Sequence, residues 1–337
     1  MEDASLEHSA KPPIAVRRAR KADLSRRRHI VSTVGPFATL AFLVALFSIL
    51  NPEFLTRGNA YSVLRASSAL LMLSLGLTFV IMLASIDLSI GSIVTLVGIL
   101  TAMLVPHLGV WAVFASLALG TACGLLNGVL FTYVRIPSFV VTLGTLSLFY
   151  GVSLVIDQNT AVAVTNEHFI WLADGTLLGD FPNMVLVALV AWGVCIFISQ
   201  RTRFGRAVYA IGGGERMAML SGLPVRRYKI VAFMLSGLFA GLASALLVAK
   251  FQGGNPEMGQ GPMLLDAIAA VVMGGTGLTG GVGGPHRTIL GALVLAVLGN
   301  GMVMSEVGPY EQVVIKGLVT VIAVSLTLDR RQVRIAK

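Results

Sequence analysis

The stretch RTRFGRAVYAIGGGERMAMLSGLPVRRYKI, Arg201 to Ile230, is the one long polar and basic interruption of a chain that is otherwise built of apolar runs. Seven of its thirty residues are Arg or Lys, so it lies at a membrane surface and not in hydrocarbon. Within it, GGGERMAMLSGLP predicts one short helix. Glycines open it, Glu215 stands in the first turn where the helix dipole favours an acid, and Ser221-Gly222 followed by Pro224 ends it. A helix of about two turns is marginal in water by itself, so a partner is needed to hold it, and the loop reads as a docking site for another protein.

Outside this loop the composition is that of a polytopic membrane protein. Of 337 residues, 55% are hydrophobic and 12% charged, with a mean hydropathy of +0.84; soluble domains carry roughly 25% charged residues. Apolar segments long enough to cross a ~30 Å hydrocarbon core fall near residues 30–50, 61–83, 88–106, 110–133, 137–156, 184–200, 229–250, 264–282, 286–304 and 311–328. The fold expected is all-α, with about ten transmembrane helices.

The net charge of +9 raises nucleic acid as a partner, and the placement of the charge decides against it. With a cytoplasmic N-terminus and ten crossings, the inside segments hold eight basic residues from Lys11 to Arg28, Arg135, the seven of the docking loop, Arg287 and four from Arg330 to Lys337. The outside loop 157–183 holds Asp157, Glu167, Asp174 and Asp180 and neither Lys nor Arg. That asymmetry is the positive-inside pattern of a chain embedded in a bilayer with both termini cytoplasmic. Residues 1–29 read as a disordered basic tail attracted to anionic lipid, 30–328 as the membrane domain with its cytoplasmic loop at about 201–228, and 329–337 as a second tail. The first span lacks a small-residue cleavage pattern and is read as a retained anchor.

Enzyme chemistry finds no support in the motifs. Gly275 to Gly280 matches G-x-G-x-x-G, but it follows an apolar helical run, whereas the dinucleotide fingerprint needs a strand before it. No phosphate-binding G-x-x-x-x-G-K-[ST] occurs, so ATP-driven work would need an ATPase on a separate chain. The five histidines have no metal-ligand spacing, and Cys123 and Cys195, both in apolar spans, read as packing residues. No metal and no cofactor is expected in this chain.

Two segments break the span pattern: Leu83 to Val94, LASIDLSIGSIV, and Asp266 to Pro285, whose second half is mostly glycine. Irregular backbone at membrane depth is tolerated only where protein buries it or a wet cavity receives it. Asp87 and Asp266 each precede a helical run and read first as helix caps, with cargo contact as the functional alternative for an intramembrane acid. Lys316 either snorkels or pairs with an acid. Asn127, in GLLNGVL, and Ser138, after Ile136-Pro137 at the favoured start of a helix, join Ser89 and Thr276 as polar groups that bind helices together or line a pathway. Small residues at four-residue spacing, Gly120, Gly124 and Gly128 in one span and Gly237 and Gly241 in another, let helix backbones approach closely.

The ordered blocks TFVIMLASIDLSIGS, GLLNGVL with RIPSFVVTLGTL, FGRAVYAIGGG with LSGLPV, SGLFAGLASALL and LDAIAAVVMGGTGLTGGVGG resemble the ribose/xylose-type permeases of bacterial ABC importers, over about residues 40–328. The resemblance implies an inner-membrane permease protomer with a fold similar to vitamin B12-type permeases. It also implies a homodimer or a heterodimer with a related permease, a cytoplasmic ABC ATPase that binds the ATP and Mg, and a periplasmic sugar-binding protein. By position it places Gly205, Arg206, Gly212, Glu215, Ala218, Ser221 and Gly222 in the ATPase-coupling loop. Cargo by this resemblance is a monosaccharide or similar neutral polyol. A nucleoside, a branched-chain amino acid or a furanosyl signalling molecule is the alternative among related permeases. An ion-coupled secondary carrier using Asp87, Asp266 and Lys316, or a scaffold without transport, is the alternative outside them. The chain departs from the family pattern at Ala84-Ser85, where Gly-Gly is usual, at Gly214-Glu215, at Leu264, where Glu is frequent, and at Arg287-Thr288.

Overall fold

A computed structural model describes residues 34–157 and 161–327; the two tails lie outside the described residues. Each apolar segment carries a helix. α1 is Val34–Leu50, α2 Arg57–Met82, α3 Ile90–Leu108, α4 Ala112–Val129, α5 Ser138–Asp157 and α7 Asn183–Arg201, with the short α6, Glu167–Asp174, between the last two. The docking loop holds α8, Arg203–Gly213, and α9, Glu215–Leu220; then follow α10, Val225–Phe251, α11, Met263–Met273, α12, Pro285–Met304, and α13, Pro309–Thr327. Among the described residues six helical stretches are long and apolar enough to cross a membrane.

One of those stretches, Ile90–Val134, folds as a hairpin. Gly109 at φ 55°, ψ −134° ends α3 and a 3-10 turn follows. The contacts on α10 then run in opposite directions: Val94 and Ser244 meet from α3 (Ser244 Oγ donates to Val94 O, 3.0 Å), whereas Ser116, near the start of α4, donates to Gly241 O at 2.8 Å and Gly128, near its end, faces Ile230. The tightest packing is between α4 and α10. A Cβ placed on Gly120, Gly124, Gly237 or Gly241 would land on facing backbone, so the small-residue spacing read in the sequence is the contact itself. In lipid, where apolar burial between helices gains little, such close approach and interhelical hydrogen bonds supply the association.

α2 is the central post, buried at every residue from Ser67 to Met82. Its hydroxyls turn back on their own helix, Ser74 to Leu70 O at 2.7 Å and Thr78 to Ser74 O at 2.6 Å, which satisfies them without water. Thr78 also meets Thr288 of α12 at 2.9 Å.

The segment 264–282 does not cross as one helix. α11 spans eleven residues, about 16 Å at 1.5 Å per residue, roughly half of the hydrocarbon thickness. Seven glycines between 274 and 284 cannot hold a helix, each costing about 0.5–1 kcal/mol there. The missing half of the crossing is residues 252–262, which run alongside α3: Gly254 packs against Gly98 and Ala102, and Gly259 against Gly91 and Thr95. Gly254, Pro256, Met258 and Gly259 of this stretch are buried, whereas Gln252, Glu257, Gly261 and Pro262 are exposed, so protein covers the side that faces α3.

The two ends of the bundle differ in chemistry. At one end lie the basic loop with α8 and α9, the end of α2 and the turn 274–284. At the other lie α6, the small ribbons Val162–Ala163 with Gly253–Gly254 and Thr176–Leu178 with Phe181–Pro182, and the α3–α4 turn, which Asn166 approaches at Gly109. This end carries the acidic residues of 157–183.

Candidate functional site

The docking loop is two helices, not one. The sequence reading missed α8, although its signal is present: Thr202 caps it, accepting from Gly205 N at 3.2 Å, and Gly205, Ala207, Val208 and Ile211 form one buried face. Gly205 allows α8 to fold back onto α7, since a Cβ there would strike Ser199 O. An aromatic chain holds α8 to its neighbours, Phe79 of α2 to Phe204 at 5.8 Å and Phe204 to Tyr228 of α10 at 6.0 Å between ring centres.

α9 ends in a full Schellman cap. Leu223 N donates to Ala218 O at 3.1 Å and Gly222 N to Met219 O at 3.0 Å, with Gly222 at φ +81° and open space where a Cβ would stand. Gly222 is therefore required by backbone conformation. Ser221 donates to Met217 O at 2.9 Å. Glu215 does more than favour the dipole: it takes Lys229 Nζ at 2.7 Å, clipping α9 to α10, while that ammonium also lies 4.6 Å from the centre of the Phe131 ring.

The faces of the loop differ from the expectation at two positions. Ala218 and Gly205 are buried against the chain itself, because the short helices need an apolar side to rest on the bundle, so neither is presented to a partner. Gly212 faces Met82 O and Gly281 N. What the loop presents is Arg206, Glu215, Ser221 and Gly222 together with Met217, Met219 and Leu220, the last three 67%, 60% and 73% exposed. Three large apolar side chains stand exposed on a six-residue helix, an apolar patch that sequence spacing left unnamed.

The pathway candidates divide into two groups. Asp87, Ser89, Asn127 and Ser138 meet at the α2–α3 break. Asp87, 0% exposed, accepts from Ser89 N (3.0 Å) and Ser89 Oγ (2.7 Å) at one oxygen and from Ser236 Oγ (2.8 Å) of α10 at the other. Asn127 of α4 donates to Ser89 Oγ at 2.7 Å. Ser138 accepts from Ile86 N at 3.2 Å and Thr142 donates to Ile86 O at 3.3 Å, both from α5. Asp87 thus caps the turn ahead of α3, whose N-cap is Ser89; its carboxylate ties that turn to α10, and Asn127 joins α4 to it through Ser89 Oγ. Ser236 and Thr142 complete the set; only their place in a small-residue span marked them in the sequence.

Thr276 and Asp266 stand apart from that network. Thr276 accepts from Gly284 N at 3.0 Å and folds the glycine turn. Asp266 does not cap α11, which starts at Met263 with Pro262 ahead of it; it lies in the first turn and binds Lys316 of α13 at 2.9 Å. Lys316 therefore pairs and does not snorkel. Leu264, where the family pattern has an acid, packs near Gly91 of α3.

Comparison with known proteins agrees with this architecture. The family model for the branched-chain amino acid transport system, permease component, matches residues 59–324. The ribose import permease protein RbsC of Escherichia coli (strain K12) is 38% identical over 85% of this chain and 90% of its own length, and that of Bacillus subtilis (strain 168) 38% over 90% and 94%. The D-allose transport system permease protein of Escherichia coli (strain K12) is 34% identical over 87% and 90%. No solved structure matches, and the likeness to vitamin B12-type permeases stays with the resemblance that suggested it. An all-α bundle with a basic two-helix loop, matched almost end to end by transport permeases, belongs to the family of permease components of ABC transport systems.

Proposed function

We propose that this chain is the membrane-spanning subunit of an ATP-driven importer of a monosaccharide or similar neutral polyol in the bacterial inner membrane, and that α8 and α9 receive a separate cytoplasmic ATPase. The observation that carries the reading is the exposed apolar knob of Met217, Met219 and Leu220 on a loop bearing seven basic residues. Lys and Arg concentrate on the cytoplasmic side of membrane proteins, so this end of the bundle faces the cytoplasm and both termini lie there with it. The relatives named for ribose and D-allose favour a sugar over the amino acid in the family description. The ion-coupled alternative is less favoured, since Asp87 accepts three hydrogen bonds within the bundle and Asp266 pairs with Lys316.

In this reading ATP and Mg are bound by the ATPase, the permease contributes two conformations that the ATPase biases, and a periplasmic binding protein delivers cargo to the acidic end. A second protomer completes the pathway. Its support is the family resemblance read in the sequence.

The docking claim is tested by Leu220→Glu. Leu220 is 73% exposed, so the substitution leaves the fold unstrained while placing a carboxylate in the contact. The tagged chain, solubilised in mild detergent, is expected to bring down a P-loop ATPase, and the variant at least ~10-fold less of it, the effect of a central interface residue. Equal recovery with both would overturn the assignment of α9 as the contact.

A further inference from the structure

Where α2 ends, three stretches of backbone meet with almost no side chain between them. Gly281 N donates to Met82 O at 2.9 Å. A Cβ on Gly212 would fall on Met82 O and Gly281 N, one on Gly281 would fall 2.7 Å from Gly213 N, and one on Gly280 would lie 2.8 Å from Ala84 N. The side chain that enters this contact is Tyr209 of α8. Its hydroxyl donates to Gly283 O at 2.7 Å, and Gly284 has no room for a Cβ beside that oxygen. The turn is fixed from within by Thr276 on Gly284 N and by Gly275, Gly280, Gly281, Gly283 and Gly284 at positive φ, so its course is dictated by glycine conformation.

We propose that this junction is a rigid joint that carries movement of the docking loop into the membrane domain at two points at once, with Tyr209 as its positioning residue. The inference rests on the docking reading above. Tyr209 and Gly212 of α8 are partly covered where they meet Gly283 and Met82, so a push on the loop bears on Met82 and on Gly281 to Gly284 together. From Met82 the displacement enters the break that Asp87 and Ser89 tie to α3, α4 and α10. From the turn it enters α11, the half-length helix linked through Asp266 to Lys316 of α13. Backbone seated on backbone leaves no flexible side chain to absorb the motion, and interiors packed this closely transmit displacement. Burial pushes the Tyr209 hydroxyl above its ordinary value, against a smaller downward pull from Arg287. It therefore remains a neutral donor up to a pH of about 10, and the contact is lost only as pH rises beyond that.

The test uses the full transporter, permease with its ATPase and binding protein in proteoliposomes. Tyr209→Phe removes one hydroxyl and keeps the ring. The variant is expected to retain the ATPase on purification at the native level while sugar moved per ATP hydrolysed falls about fivefold, the change that one neutral hydrogen bond commonly carries. An unchanged ratio would overturn the role of Tyr209. Absence of the ATPase from the unaltered chain would instead sink the docking reading, and this inference with it. A second measurement tests the joint with Tyr209 in place. With Cys123 and Cys195 replaced by Ala, a short bis-maleimide is placed between Gly213→Cys and Val282→Cys, both at exposed positions. A joint that moves as one body keeps transporting when cross-linked, and the same link restores coupling to Tyr209→Phe. Transport that stops on cross-linking would show the two parts separating in each cycle and would refute the rigid joint.

Discussion

Ala84 adopts φ 54°, a conformation that costs an L-residue about 1–2 kcal/mol and glycine almost nothing. Here the departure from the family's glycine has a structural consequence. Ala84→Gly is expected to raise the thermal unfolding midpoint in detergent by about 2 °C, the left-handed strain relieved being larger than the added freedom of the unfolded chain; a lower midpoint would contradict the strain. Asp87 is the other position where one side chain decides much. Removing its carboxylate strands the hydroxyls of Ser89 and Ser236 in a buried site, so Asp87→Ala is expected to cost at least ~2 kcal/mol, read as a lowered midpoint, with Asp87→Asn in between. If Asp87→Asn instead kept native stability and raised the KM for sugar uptake, Asp87 would be a cargo contact. The sequence marked Asp87 as unusual because an unpaired acid in an apolar run is visible by itself. It did not show that Ser236 binds Asp87 or that Thr142 binds the neighbouring Ile86 carbonyl, since serines and threonines fill the spans of this chain and only the register between helices selects these two.

At the scale of elements, the glycines separate into those that meet backbone and those that meet nothing. Gly124 of α4 faces Phe233 O and Gly237 N of α10, whereas an added Cβ at Gly193 of α7 has open space. Gly124→Leu is therefore expected to abolish folding, measured as loss of monodisperse protein, while Gly193→Ala is expected to be neutral or stabilising by up to ~1 kcal/mol. Equal effects would refute the α4–α10 contact. The Asp266–Lys316 pair belongs to the same scale, since it is a polar tie between α11 and α13. Lys316→Met leaves Asp266 without its cation inside the bundle and is expected to lower the midpoint sharply, with Lys316→Met/Asp266→Asn recovering most of the loss; a double variant no better than the single one would show that the pair is not the tie. Helix positions were legible because long apolar runs have a length that membranes set. The glycines of 274–284 marked 264–282 as irregular, but hydropathy, which treats glycine as harmless to a span, did not show that α11 ends at Met273 or that residues 252–262 run alongside α3. The helix α8 was missed for a related reason: its apolar face of four residues is too short to register beside the spans around it.

For the molecule as a whole, the division into a basic end and an acidic end was readable from charge placement alone, and the fold class from composition. Which surface the loop exposes was only half readable. The location of the loop follows from its charges, but the turn of Ala218 inward and of Met217, Met219 and Leu220 outward depends on how α9 rests on α10 through Glu215 and Lys229. The acids within the bundle are partnered, Asp87 by Ser89 and Ser236 and Asp266 by Lys316, and we propose that the chain is driven by a separate ATPase and not by an ion moving through it. The most direct measurement of that claim is uptake of radiolabelled ribose and other monosaccharides into proteoliposomes that hold this chain and its co-purified ATPase, with the binding protein supplied outside. ATP is enclosed or omitted, and proton and sodium gradients are collapsed with ionophores. Uptake is expected to require enclosed ATP and to persist without gradients; uptake that follows a gradient and ignores ATP would mark an ion-driven carrier instead.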